Sequence, residues 1–164
     1  MHELTYRVAD RAGTTRLAAR LAPELRDGDA VLLRGTLGSG KTALVQDLAT
    51  ALGHEGPVTS PTFTLANFYE SPTVTVLHID AYRLESVGEF RDLGLVDYAE
   101  RSVTVVEWGD LVAEEYPGHL LVELALVPDA DDARVFTLSS AAPRWAALLD
   151  GLADLDGSTL QVTP

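Results

Sequence analysis

Gly35-Thr36-Leu37-Gly38-Ser39-Gly40-Lys41-Thr42 stands between an apolar run, Ala30 to Arg34, and a segment from Thr42 to Leu52. In that second segment Leu44, Val45, Leu48 and Leu52 recur at helical spacing. The octet fits G-x-x-x-x-G-K-[ST] without a mismatch, in the strand, loop and helix setting that gives the pattern its meaning. Glycines let successive backbone N–H groups turn inward as an anion nest, and a helix N-terminus adds partial positive charge beneath it. Gly35, Thr36, Leu37, Gly38, Ser39 and Gly40 then cradle phosphates, and Lys41 reaches the β- and γ-phosphates as a mobile point charge. The Thr42 hydroxyl is placed to ligate Mg²⁺. Of the 12 Lys and Arg residues, Lys41 alone is a lysine, so the chain keeps its one compact ammonium at this loop. As an exposed loop residue it is expected to contribute little to the core.

The flanking sequence supplies the rest of an α/β fold. Leu4, Tyr6 and Val8 alternate with polar residues as a short strand, and Asp10 is placed to cap a helix carrying Leu17, Ala18, Leu21 and Leu25. Asp27-Gly28-Asp29 reads as a turn and Gly53 to Pro61 as a loop. Thr62 to Tyr69 and Thr73 to Ile79 read as strands around a Ser71-Pro72 turn, the second ending at Asp80. Leu84 to Arg101 is helical in two pieces that part near Gly94, and Val103 to Val106 is a buried strand ending at Glu107-Trp108-Gly109. Asp110 to Tyr116 is a short helix, and His119 to Val127 with Arg134 to Leu138 is a hairpin across the acidic turn Asp129 to Asp132. Ala142 to Leu152 is helical. The pattern predicts a single P-loop NTPase domain over residues 1–153, with a mostly parallel central sheet, antiparallel additions and helices on both faces. Residues 154–164 read as a flexible tail.

A phosphate loop needs carboxylates at neighbouring strand ends, because Mg²⁺ keeps much of its water shell and is held by one or two acids. Asp80 and Glu107 each close an apolar strand at the end where ligands sit in open α/β sheets. Asp80 is expected to serve the metal. Glu107 is expected to orient the attacking water or to add to the metal shell, with Trp108 as a pocket wall. His78, two residues before Asp80, reads as a packed or hydrogen-bonded histidine rather than a catalytic base. Ser60-Pro61-Thr62-Phe63 lies where switch segments occur. Thr62 can bind the metal or sense the γ-phosphate there, and the same spacing also fits an ordinary proline turn.

Composition narrows the partners. The chain has 164 residues, 25 acidic against 12 basic, a net charge of −13 and a pI near 4.5. Gripping nucleic acid requires clustered Lys and Arg, so any role on RNA is expected to run through another protein. The absence of cysteine rules out disulfides and thiolate chemistry, and four scattered histidines argue against zinc. No run approaches a membrane span and the N-terminus is no signal peptide, which points to the cytoplasm.

Together the phosphate loop, Ser60-Pro61-Thr62-Phe63, His78-Ile79-Asp80-Ala81-Tyr82-Arg83 and Glu107-Trp108-Gly109 resemble the TsaE family, the small P-loop ATPases of bacterial tRNA threonylcarbamoyladenosine (t6A) biosynthesis. The likeness spans roughly residues 5 to 140; after Arg134 no role is carried over. It implies that Lys41 and Thr42 bind phosphates and Mg²⁺, that Asp80 and Glu107 serve the metal and the hydrolytic water, and that Thr62 belongs to a nucleotide-sensitive switch. It also implies that Trp108 lies near the ATP or ADP and that Tyr82 and Arg83 lie by the site or a partner surface. The partner it implies is the TsaB–TsaD complex, with tRNA contacted only through that complex. Two rival readings are a small-molecule kinase and a nucleotide-dependent binding module with negligible hydrolysis. The kinase requires an arginine-rich lid, and after Arg101 only Arg134 and Arg144 remain to build one. Guanine readout through Asn-Lys-x-Asp is impossible, because the one lysine is already in the loop.

Overall fold

The computed structural model describes residues 1–62, 65–153 and, for the backbone alone, 159–163. Strand β1 (His2–Val8) leads into helix α1 (Arg11–Leu21), whose start is fixed by Asp10 accepting from the Gly13 N–H at 3.0 Å. Strand β2 (Ala30–Gly35) runs into the glycine loop and helix α2 (Lys41–Ala51) leaves it. There follow β3 (Ala66–Glu70), β4 (Thr75–Asp80), α3 (Val87–Asp92), β5 (Val103–Glu107), β6 (Leu120–Val127), β7 (Ala130–Ser140), α4 (Ala146–Ala153) and β8 (Thr159–Thr163).

Among the described residues these strands form one eight-stranded sheet in the order β3-β4-β5-β2-β6-β7-β1-β8. Its centre, β4-β5-β2-β6, is parallel, and β3 on one side and β7, β1 and β8 on the other are antiparallel additions. The expected α/β architecture is therefore present. The register sets Asp80 opposite Glu107 and Glu107 opposite Leu33, so the two carboxylates and the mouth of the glycine loop lie level at the same sheet edge.

The pleat of the sheet sorts its side chains into two cores. Leu33, Val76, Val105 and Phe136 face Leu17, Leu21, Leu44, Leu48, Leu149 and Trp145, contributed by α1, α2, α4 and the turn before α4. Leu32, Leu77, Ile79 and Val106 face the other way, against Phe90, Val112 and Tyr116. Each fully buried leucine contributes ~1.5–3 kcal/mol relative to exposure, and this burial, rather than helix propensity, holds 11-residue helices such as α1 and α2.

Several elements differ from the sequence reading. The cover on the second face is mostly 3₁₀ turns: Leu95–Arg101 and Gly109–Glu115 replace the second half of the expected split helix and the helix at Asp110 to Tyr116. Seven residues wedged between a turn and the next element are too few to repay α-helix nucleation, and a 3₁₀ turn covers more length per residue. The strand expected from Thr62 begins only at Ala66, because Leu65 takes a positive φ of 67°. The hairpin turn tightens to Pro128-Asp129, with Asp129 at φ 60°, so Ala130 to Ala133 extend β7 instead of forming an acidic turn. Where a loose end was expected, Thr159–Thr163 pairs with β1, setting Leu4 opposite Val162. The open edge of β1 offers a row of unpaired backbone groups, and a Thr-Leu-Gln-Val-Thr run has the composition to take it. Residues 154–158 and 164 of that segment, and Phe63 of the expected switch, lie outside the described residues.

Candidate active site

The glycine loop closes on itself before the helix begins. Ser39 N–H donates to the Thr36 carbonyl at 3.0 Å, and Gly40, the N-cap of α2, sits at φ 107°, where a side chain is strained. Lys41 is buried, at 5% exposure, and so departs from the exposed loop lysine expected. It starts α2 with its ammonium folded back over the loop, donating to the carbonyls of Gly35 at 2.7 Å and Thr36 at 3.1 Å. The same ammonium lies 4.2 Å from the centroid of the Trp108 ring. Burial pulls the Lys41 pKa below the ordinary lysine range, while Glu107 and Asp80 pull it back up.

The two strand-end carboxylates are both buried and each is held by a hydroxyl. Thr42 Oγ1 donates to Glu107 Oε1 at 2.8 Å. Thr62 Oγ1 donates to Asp80 Oδ2 at 3.0 Å and lies 2.6 Å from Ser60 Oγ, and the Tyr82 N–H donates to Asp80 Oδ1 at 2.9 Å. The loop from α2 to β3 is thus fastened to one carboxylate and the phosphate-loop helix to the other.

Trp108 is a non-glycine residue in the left-handed region, at φ 58°, a conformation that costs of order 1–3 kcal/mol and collects at functional sites. Two contacts hold it there: the Lys41 ammonium, and the Tyr82 ring, 5.1 Å away centre to centre. Gly109 permits the turn to lie on β2, since a Cβ at that position would meet Leu32 Cβ at 2.7 Å.

Gly38, Gly40, Lys41, Thr42, Ser60, Thr62, Asp80, Tyr82, Glu107 and Trp108 converge on one cavity of about 390 Å³, with Leu37 at its lip. A second hollow of about 730 Å³, more apolar, continues past Trp108 between Gly35, Thr36, Leu37 and the end of β6 at Leu124 to Leu126. Ser39 is buried behind the loop, away from the first cavity. Arg83 is exposed and does not line either hollow, whereas its neighbour Tyr82 does line the first.

His78, read from the sequence as a packed or hydrogen-bonded histidine, is both, and the sequence singled out neither its partner Tyr69 nor the contact that Arg134 makes. His78 donates from Nε2 to Glu107 Oε1 over 2.8 Å, an ionised carboxylate being able only to accept, and its Nδ1 lies 3.2 Å from the Tyr69 hydroxyl. A histidine in an otherwise apolar strand was the available signal for the His78 and Tyr69 pair. Arg134, on β7, donates from Nε to the Ser39 carbonyl at 2.8 Å, bracing the phosphate loop from 95 residues away. Nothing local in the sequence announces that contact.

Oxygen donors facing the first cavity suit Mg²⁺, which prefers hard oxygen ligands: the Thr42 hydroxyl and the Asp80 and Glu107 carboxylates, with the Ser60 and Thr62 hydroxyls beside them. Among the described residues no helix is long and apolar enough to cross a membrane.

Comparison with known proteins places this geometry in a family. The crystal structure of YdiB from Bacillus subtilis superposes with a TM-score of 0.75 at 27% identity, covering 93% of this chain and 96% of that one. The tRNA threonylcarbamoyladenosine biosynthesis protein TsaE of Streptomyces coelicolor is 42% identical over 136 residues, 79% of this chain and 92% of that protein. The protein of the same name from Bacillus subtilis is 33% identical over 157 residues, 95% of this chain and 98% of its own length. The sequence profile of the threonylcarbamoyl adenosine biosynthesis protein TsaE matches residues 8–136, from the end of β1 through the glycine loop and both strand-end carboxylates, and the chain belongs to the TsaE family.

Proposed function

We propose that the chain binds Mg-ATP and hydrolyses it in the cytoplasm in support of tRNA t6A modification, acting with the TsaB–TsaD complex and touching tRNA only through it. The observation that carries this reading is the convergence of Lys41, Thr42, Asp80, Glu107 and Thr62 on one cavity at the ends of parallel strands. Phosphates enter over the N-terminus of α2, where Lys41 exchanges the Gly35 and Thr36 carbonyls for phosphate oxygens. The base extends past Trp108 into the apolar hollow beside Thr36 and Leu37. Thr42, Asp80 and Glu107 hold the Mg²⁺, which neutralises charge on the β- and γ-phosphates. Glu107 also orients the attacking water, and Thr62 reports the γ-phosphate to the loop that precedes β3.

The supply of positive charge decides between readings. Among the described residues lining the first cavity, Lys41 is the one cation. Arg134 is committed to the back of the loop, and Arg144 is paired with Asp29 and donates to the Glu24 carbonyl at 2.9 Å. Neither arginine forms a kinase lid. An arginine finger is typically worth ~10³–10⁵ in rate, so hydrolysis by the chain alone is slow and a docked partner accelerates it. The test is ATP turnover with and without TsaB–TsaD, for the wild type and for Arg83→Ala. Stimulation lost in Arg83→Ala assigns that arginine to activation. Fast turnover by the isolated chain, unchanged by the complex, defeats the reading, and phosphate appearing on a small acceptor favours the kinase.

A further inference from the structure

A chain of polar contacts runs beneath the site from β3 to the start of α2. The Tyr69 hydroxyl, on β3, lies 3.0 Å from the Thr59 carbonyl, to which it donates, and 3.2 Å from His78 Nδ1. On β4, His78 is fully buried and donates through Nε2 to Glu107 Oε1 at 2.8 Å. Glu107 Oε1 in turn accepts from Thr42 Oγ1 at 2.8 Å. Four side chains therefore link the backbone just before Ser60 and Thr62 to the hydroxyl at the start of α2.

A polar side chain inside an apolar strand costs stability unless it is hydrogen-bonded, and His78 occupies a place where a valine or leucine would pack without that requirement. What it accomplishes there is to fix a carboxylate. Glu107 ends its strand with two rotatable bonds beyond Cβ, and a donor from within the sheet removes that freedom at one oxygen. The Tyr69 hydroxyl donates to the Thr59 carbonyl and lies within hydrogen-bond distance of His78 Nδ1, so one group joins the loop to the histidine. Movement of Thr59 therefore moves the hydroxyl against which His78 rests.

We propose that His78 and Tyr69 are positioning residues for Glu107, and that they couple its orientation to the Thr59–Thr62 segment. The inference rests on the reading of Glu107 and Thr42 as parts of the Mg-ATP site. Neither residue touches nucleotide; both act through the carboxylate. The relay therefore affects turnover far more than ground-state binding.

His78→Asn and His78→Gln divide the two contacts, since Asn keeps a polar group level with Nδ1 but loses the donor to Glu107, whereas the Gln amide N–H replaces the donor at Nε2. The measurements are kcat for ATP with the partner complex present, the Kd for Mg-ADP, and the Tm of the full chain. His78→Asn is expected to lower kcat by ~10–100-fold, the usual penalty for losing a group that orients a site ligand, with Mg-ADP affinity held. His78→Gln restores most of that loss. Tyr69→Phe lowers kcat, and adds nothing further in a His78→Asn background, as expected of groups in one network. Wild-type kcat in His78→Asn overturns the proposal, as does a loss equal in Asn and Gln that follows Tm. Glu107→Gln, measured alongside, separates the layers. If it is slow while His78→Asn and Tyr69→Phe are not, the relay alone fails; if it turns over normally, the underlying reading of Glu107 fails with it.

Discussion

Lys41 carries the most charge chemistry of any single residue. Lys41→Ala is expected to remove at least one charged hydrogen bond to phosphate, ~1.5–3 kcal/mol or roughly 10–100-fold in Kd, while the far-ultraviolet circular dichroism stays native. Its depressed pKa adds a pH dependence with a definite sign. Burial lowers the value in the free protein and incoming phosphate anions raise it, so binding takes up a proton wherever the free lysine is neutral. Nucleotide affinity is full below the free-protein pKa and falls as pH rises through it, in a window that opens below the ordinary lysine value. Calorimetry in buffers of different ionisation enthalpy reads the proton directly. The two carboxylates part company in the same assays. Asp80→Asn weakens Mg²⁺-dependent binding, whereas Glu107→Gln spares binding more than turnover and lowers turnover by the ~10²–10⁴ typical of a lost general base. Titration with Mg-ATP followed by phosphate release distinguishes them.

Elements matter through what they bring to the loop and how firmly they cover the sheet. Phe90 of α3 is fully buried and faces Tyr116 at 6.1 Å between ring centres, on the sheet face covered by short turns. Phe90→Ala is expected to cost ~3–5 kcal/mol in urea unfolding, because a short helix and 3₁₀ turns collapse poorly around a cavity. The β6–β7 hairpin has a different task. Through Arg134 it holds the Ser39 carbonyl on the outside of the loop, which helps keep the neighbouring N–H groups turned inward. Arg134→Ala is expected to weaken Mg-ADP binding several-fold, within the ~1.5–3 kcal/mol of a charged hydrogen bond, with little change in Tm. Equilibrium titration and a melting curve together check it.

At the scale of the whole molecule the net charge of −13 sets the terms of association. Counterion release cannot drive an acidic surface onto RNA, so the isolated chain should give no tRNA mobility shift at physiological salt. A retarded band without partner proteins contradicts that expectation. The same scale explains why the sheet accommodates eight strands: parallel pairing at the centre needs cover on both faces, and antiparallel strands extend it to the edges.

Local chemistry wrote much of this into the sequence. The phosphate loop was legible because its glycines, lysine and threonine act within eight consecutive residues. The strand ends at Asp80 and Glu107 were legible because an apolar run stopped by an acid has few other meanings in an α/β chain. Asp10 was legible as a cap for the same reason: a cap acts three residues away. Distance in sequence hid the rest. Arg134 meets Ser39 only because β7 pairs beside β6, and His78 meets Glu107 only because β4 and β5 align in parallel register. The left-handed turn at Trp108 is decided by Lys41, Tyr82 and the close approach of Gly109 to Leu32, which no local propensity contains. The sequence by itself determined which groups exist to handle a phosphate. The tertiary structure decided which of them touch, because hydrogen bonds between strands depend on register and not on order along the chain.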